Sequence, residues 1–399
     1  FDRTLYGEWD GKPGDKLTQS LNMLMIAASL ALLVTGARRQ RSITKGTVLA
    51  LGLAAFLLSS VVWSGNPQGT LRQGVIYLSA AIGAIGIASS LEADEFMRLV
   101  AAICGLAALS TLFLMVVSPG EVSNDFGFRG IFSQKNVLGE AMAMGALASL
   151  HGLRVGRQQK WANRLSLVLM MIVCFLSESM TSLLTIFMLC SVHAVGAAMR
   201  KGGIARIMGI MATLIAAPVA AFVAISPDFM LETIGKDPTL TGRTEIWSYV
   251  VPDIWQKPLL GWGYNAFWSM TNPAAIEIDD AVHWVVPQAH NGLLEILLQV
   301  GVVGAVFFLV LLARSIGLGL RCLRTSDKAL AISTLSCCAS IILTGISETV
   351  MLNGLEASTV VFFVTGLYCE RALWLRQRRS AVTKPAANRY VMPRQVMTS

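Results

Sequence analysis

Charge is scarce in this chain: Asp, Glu, Lys and Arg together make up 14% of its 399 residues, where soluble globular domains carry roughly a quarter. That shortage excludes a cytosolic enzyme, a disordered scaffold and a fibrous protein. Histidine is rarer still, with four in the whole sequence. The seven cysteines (Cys104, Cys174, Cys190, Cys322, Cys337, Cys338 and Cys369) sit in apolar runs or beside basic loops, without paired metal-ligand spacing. The adjacent Cys337 and Cys338 read as small core residues rather than a redox pair. No internal repeat of roughly 20–50 residues is present.

What fills the space is apolar. The hydrophobic set reaches 54% and mean hydropathy is +0.61. A helix rising 1.5 Å per residue needs about 20 mostly apolar residues to cross about 30 Å of hydrocarbon. Eleven stretches qualify, at 20–36, 46–64, 74–91, 99–118, 136–153, 165–178, 180–199, 207–226, 301–318, 329–347 and 356–375. Barrel strands would instead appear as short alternating segments, so the expected fold is all-α and polytopic.

The net charge of +8 would suggest nucleic acid in a soluble protein, but here its sign is read loop by loop. Of the 32 Lys and Arg, 23 fall in 37–45, 91–98, 154–164, 200–206, 314–328 and 371–399. The alternate set, 1–19, 65–73, 119–135, 178–180, 227–290 and 348–355, holds the other 9. The basic set is expected on the cytoplasmic side, with nucleic acid excluded as a partner. An external start, an odd number of spans and Phe1 in place of Met suggest a further helix upstream, twelve in all, with both ends cytoplasmic. The expected organisation is an N-terminal bundle of about eight spans over 1–226, a long periplasmic loop with short helices over 227–300, transmembrane helices over 301–375 and a basic cytoplasmic tail over 376–399.

The long loop carries Lys236, Arg243 and Lys257 against eight acids, so each cation in it invites its own reading. Ile246, Tyr249, Val250 and Ile254 recur at helical spacing, with Thr241 or Thr244 as a cap, and Pro258 with Gly261-Trp262-Gly263 ends that helix in a turn. A second helical pattern follows Pro287 and runs into the next span. The loop's tryptophans suit packing at the membrane interface, with stacking on sugar rings as the alternative. Asp279-Asp280 reads as a solvated face, or else as a contact for sugar hydroxyls or a divalent ion.

Few external polar groups suit chemistry. His151 and His193 lie near cytoplasmic span ends as packed or snorkelling side chains. His290 falls near a helix N-terminus, where the dipole disfavours imidazolium; a neutral ring there either accepts a proton or merely caps the helix. Arg129, flanked by glycines and aromatics in GFRGIF, and Arg243, opening a helix in TGRTE, offer guanidinium forks to phosphate oxygens. Membrane anchoring is the plainer role for either. Lys135-Asn136 adds a donor or marks the interface, Glu245 is a further substrate-binding candidate beside Arg243, and Glu295 orients a neighbouring cation.

The segments FRGIFSQKNVLGEAMA, GRTEIWSYVVPDIWQKPLLGWGYNAF and AHNGLLEILLQVGVVG resemble the bacterial O-antigen ligase and polysaccharide polymerase superfamily, including exopolysaccharide polymerases. The resemblance extends over about residues 20–375. At the turn Ser177–Ser182, where such proteins often carry a basic residue, this chain has Met180. The resemblance implies a C-type glycosyltransferase architecture in the bacterial inner membrane with its active site facing the periplasm. It also implies a glycan donor linked to undecaprenyl pyrophosphate, a glycan acceptor and a possible chain-length regulator.

Carried over, Arg129 and Arg243 bind the pyrophosphate and His290 orients or deprotonates the acceptor hydroxyl. Ionised phosphates leave readily, so guanidinium groups suffice where a general acid would be superfluous. An inverting transfer without metal or cofactor is expected. Polymerisation of repeat units is the favoured branch and ligation of a finished glycan the alternative. A flippase for lipid-linked sugars, the third reading, would place ionisable residues at span centres in two matching halves, a pattern the sequence lacks.

Overall fold

The computed structural model describes residues 16–37, 44–124, 127–156, 159–201, 243–325, 327–349, 352 and 356–382. The expected span at 207–226, the start of the chain, the first part of the long loop and most of the basic tail lie outside the described residues. Seven helices come first: α1 (Lys16–Ala37), α2 (Lys45–Ser59), α3 (Pro67–Ser90), α4 (Ala93–Val117), α5 (Lys135–Val155), α6 (Lys160–Leu176) and α7 (Met180–Lys201). The long loop supplies α8 (Arg243–Gln256) and α9 (Pro273–Val282), and α10 (Gly292–Cys322), α11 (Lys328–Thr344) and α12 (Ala357–Val382) complete the described chain. Ten of the eleven apolar stretches thus coincide with helices. Lys45–Val62, Pro67–Ser90, Ala93–Val117 and Gly292–Cys322 are long and apolar enough to cross a membrane, and Met23–Thr35, Met180–Val195 and Lys328–Thr344 are shorter apolar helices. The chain is a largely helical polytopic membrane protein.

Local sequence sets the helix starts. Thr44 accepts from the Thr47 amide, Asn66 accepts from Gly69 with Pro67 at the first helical position, and Glu92 and Glu95 form a reciprocal capping box. The apolar faces bury Tyr77, Leu138, Met142, Leu147, Met170 and Phe362 in one core. Cys337 and Cys338 are free thiols buried in it.

Polar contacts between helix ends fall into two groups. At one end Asp94 meets His151, Arg371 meets Glu92, Arg314 meets Glu370, and Arg376 donates to the Arg324 carbonyl. At the other, Asn136 and Arg243 meet Glu348, Thr181 meets Ser347, and the Tyr264 amide meets Ser60. Each group joins residues in, or within a few positions of, loops from one of the two alternate sets that the distribution of Lys and Arg defines.

The long loop folds around its own core. Ile246, Val250 and Ile254 of α8 pack with Phe267, Trp268, Ala275, Ile278, Val286, Ala289 and Leu298. The α8 helix begins at Arg243, so Thr244 lies within its first turn and does not cap it, while Thr241 falls outside the described residues. Trp262 and Trp268 pack into this core, whereas Trp255 is exposed. Asp279 is not on a solvated face: it is buried, and its Oδ1 accepts from the Val286 amide at 2.8 Å.

One junction fixes this subdomain to the bundle. Within α10, Gly301 (φ 64°, ψ −167°) breaks the helix, and Gly261 (φ 65°) turns the chain after α8 against that break. The Trp262 and Gly263 amides donate to the Leu298 and Gln299 carbonyls at 3.0 and 2.9 Å. The Val302 and Val303 amides donate to the Pro258 and Leu259 carbonyls at 2.9 and 3.2 Å. These are the groups that an unbroken helix would have paired with one another, so the inserted loop satisfies both sides of the break. A Cβ on Gly301 would lie 2.3 Å from the Leu259 carbonyl, and one on Gly261 would lie 2.4 Å from that of Gln299.

Candidate functional site

Glu348 stands just beyond α11, buried except for 7% of its surface, and four side chains converge on it. Its Oε1 accepts from Asn136 Nδ2 at 2.8 Å and Arg243 Nη2 at 2.9 Å. Its Oε2 lies 3.3 Å from His290 Nδ1 and 3.4 Å from Gln288 Nε2. Four segments far apart in sequence therefore meet at one carboxylate. Arg243 and His290 keep 23% and 15% of their side chains exposed, so both remain reachable by a ligand.

Each partner is held by local structure. Arg243 projects from the first turn of α8, which the subdomain core anchors through Ile246 and Val250. His290 adopts a left-handed backbone (φ 48°) immediately before the cap of α10. Asn291 supplies that cap, its Oδ1 accepting from the Leu293 and Leu294 amides, while its Nδ2 donates to the Ile346 carbonyl. The Gly292 amide donates to the Gly345 carbonyl at 2.8 Å, tying the His290 segment to the segment that carries Glu348. Capping thus belongs to Asn291, and the His290 ring is free of it. Trp284 sits beside that ring, 6.2 Å between centroids.

Glu295 differs from its expected role. Buried at 1% exposure, it accepts from the Ala289 amide at 2.6 Å, from Trp268 Nε1 at 2.9 Å and from Gln299 Nε2. These are neutral donors, so the carboxylate fixes the backbone one residue before His290 instead of pairing with a guanidinium or ammonium group.

Burial pushes the Glu348 carboxyl up, but the hydrogen bond of His290 and, when that ring is protonated, its charge, followed by the charge and hydrogen bond of Arg243, outweigh it. The group is held below its ordinary value and is ionised at neutral pH. An ionised carboxylate only accepts, so Nδ1 of His290 is the donor in that bond and a neutral ring then carries its lone pair on Nε2.

The remaining candidates lie outside the set of side chains that meet Glu348. Lys135 opens α5 next to Asn136, with its chain against Gly127 of a short antiparallel hairpin, Ser123–Asn124 with Gly127–Phe128. The turn before α7 reaches the same region through Thr181 and Ser347, while Met180 itself is half exposed. Glu245 is exposed on the first turn of α8. Arg129 is not joined to the cluster by its hydrogen bonds: its Nη2 donates to the Glu121 carbonyl at 3.3 Å, and its buried Nε has no hydrogen-bond partner. The structure thus unites Arg243 and His290 and leaves Arg129 on the loop after α4. Sequence reasoning missed Glu348 and Gln288, although a lone acid at the end of an apolar run is itself a signal.

A cavity of about 1080 Å³ lies at the opposite end of the bundle, lined by Glu92, Arg154, Arg324, Lys328, Arg371 and Arg376 among others. It shares no lining residue with the Glu348 cluster.

The comparisons with known proteins point to the same region. Residues 165–309 match the O-antigen ligase family model, a stretch that contains Arg243, His290 and the break at Gly301. Over that stretch this membrane protein is similar to the O-antigen ligase family. The exopolysaccharide production protein ExoQ of Rhizobium meliloti (strain 1021) is 26% identical to this chain over 285 residues. That alignment covers 68% of this chain and 65% of ExoQ, so the chain spans just under two thirds of its relative's length.

Proposed function

We propose that this protein transfers a glycan from an undecaprenyl-pyrophosphate-linked donor to an acceptor sugar hydroxyl at the periplasmic face of the inner membrane, most simply to polymerise polysaccharide repeat units. The observation that carries the proposal is the seating of one guanidinium, Arg243, and one imidazole, His290, on the two oxygens of a single carboxylate. On this reading the guanidinium meets a departing pyrophosphate and the imidazole beside it acts as base for an attacking hydroxyl, the pairing that a displacement at an anomeric carbon requires. The name of the relative ExoQ, an exopolysaccharide production protein, supports the polymer as product.

In this mechanism the acceptor oxygen bonds to the anomeric carbon as the bond from that carbon to the phosphate oxygen breaks. The electron pair leaves with the pyrophosphate, next to Arg243, and the hydroxyl proton passes to Nε2 of His290. Attack opposite the leaving group inverts the anomeric centre, and the residues described supply the base and the charge without calling on a metal. Lys135 and Arg129 add positive charge on the donor side, and Glu245 meets sugar hydroxyls.

His290→Ala in the native host tests this reading. Single lipid-linked repeat units should accumulate on the periplasmic side. Accumulation on the cytoplasmic side would indicate transport, and normal long chains would refute the role of His290. Reconstitution with donor alone separates the branches, because self-extension is polymerisation and a requirement for a second acceptor is ligation.

A further inference from the structure

Glu348 divides its partners by oxygen: Oε1 takes Arg243 and Asn136, the donor side, and Oε2 takes His290 and Gln288, the acceptor side. We propose that Glu348 is a positioning residue that couples the two halves of the reaction, fixing the proton of His290 on Nδ1 through Oε2 and restraining Arg243 through Oε1 until a pyrophosphate draws the guanidinium away. The inference rests on the transferase reading above.

The argument is one of competing partners. A guanidinium has five N–H donors, and its bond to Oε1 uses one. A pyrophosphate presents more negative charge than a carboxylate and accepts two parallel bonds, so it is the stronger partner for Arg243. Asn136 remains on Oε1 when Arg243 turns, so the carboxylate keeps its place. With the neighbouring cation gone, the charge of Glu348 is left to the Nδ1–H of His290. That bond strengthens as Nε2 takes the hydroxyl proton, because the imidazolium being formed is what the carboxylate stabilises. Activation of the acceptor thus follows arrival of the donor.

Glu348→Gln is the informative substitution. Arg243 and Asn136 donate to Oε1, so the amide oxygen must stay on that side and the amide NH2 must face His290. There it donates to Nδ1 and forces the proton onto Nε2, the wrong tautomer for a base. Turnover should fall about 100-fold or more, by the tautomer logic known from serine proteases, while donor KM should not rise, since Arg243 is released from a competing charge.

The spectroscopic readout uses the purified full chain with 15N-labelled histidine, in which His290→Ala identifies one signal among four histidines. The wild-type ring should report Nδ1–H, Glu348→Gln should report Nε2–H, and Glu348→Asp should restore Nδ1–H with part of the turnover. Inorganic pyrophosphate should shift the His290 signal of the wild type but not that of Arg243→Ala. An unchanged tautomer and turnover in Glu348→Gln, with His290→Ala inactive, would overturn the coupling and leave the transferase reading standing. Full activity of His290→Ala would overturn that reading instead. Should Glu348→Gln not fold, the pyrophosphate response decides alone: equal shifts in wild type and Arg243→Ala, or none in either, refute the proposal.

Discussion

The junction between the long loop and the broken helix is the place to test how this fold holds its site. Gly301→Ala puts a methyl group 2.3 Å from the Leu259 carbonyl and 2.6 Å from the Leu260 amide nitrogen, both of them backbone atoms. The backbone at φ 64° and ψ −167° belongs almost only to glycine, and occupying it costs about 1–3 kcal/mol for another residue. Relieving the clash must stretch or break bonds among the four that cross the break, at about 0.5–1.5 kcal/mol each. With all four bonds lost the sum is about 3–9 kcal/mol, or roughly 6–18 °C of melting temperature at about 2 °C per kcal/mol for a large domain. Thermal unfolding in detergent, followed by tryptophan fluorescence, measures it. Gly317→Ala is the control: it lies in the same helix with nothing within 4 Å of the added carbon, and should be neutral or stabilising by up to about 1 kcal/mol. Equal melting temperatures for wild type and Gly301→Ala would refute the claim that loop and break are locked together.

Glu295→Ala leaves the Ala289 amide, Trp268 Nε1 and Gln299 Nε2 without their buried acceptor. At about 1–3 kcal/mol for each unsatisfied group, expression and melting temperature should both drop sharply, and Glu295→Gln should recover only part of the loss. A second outcome concerns pH. Because the Glu348 carboxyl is held below its ordinary 4.5 in the folded protein, its ionisation adds stability that is fully present above about pH 4.5 and is lost as pH falls through the depressed folded value. The melting-temperature gap between wild type and Glu348→Gln should therefore be constant from neutral pH down to about 5 and close below it; a gap that widens on acidification would contradict the assignment.

Much of the fold could be read in advance because its signals are collective. A span is about 20 apolar residues long, so no single misjudged position changes the result. The site is different in kind. Arg243 and His290 stood out because guanidinium and imidazole groups are scarce in the less basic set of loops. Glu348 did not: an acid at a span end is a signal, but nothing local says which side chains it meets. Those partners come from α5, α8 and the segment before α10, a convergence that no local pattern encodes. Glu295 shows the reverse error: its place near His290 was legible, but its partner was taken to be cationic, when a backbone amide, an indole and a side-chain amide satisfy it. The break at Gly301 was hidden because the hydropathy of α10 continues unbroken through it.

The two arginines can be told apart by what each one touches. Arg243 shares a carboxylate with His290, so removing it should raise donor KM and also disturb the His290 signal. Arg129 donates to the Glu121 carbonyl, and its buried Nε–H has no acceptor of its own. A buried donor without a partner costs about 1–3 kcal/mol, a loss that a phosphate oxygen at that point would reverse on binding. Arg129→Ala should therefore raise donor KM, by about tenfold if one charge-assisted bond of about 1.5 kcal/mol is lost, while leaving the His290 tautomer untouched. Arg129→Lys keeps the charge but not the fork, and should fall between. If Arg129→Ala leaves donor KM unchanged and lowers only the melting temperature, Arg129 is a clamp on the loop after α4, and the donor's charge must be met from Arg243 and its neighbours alone.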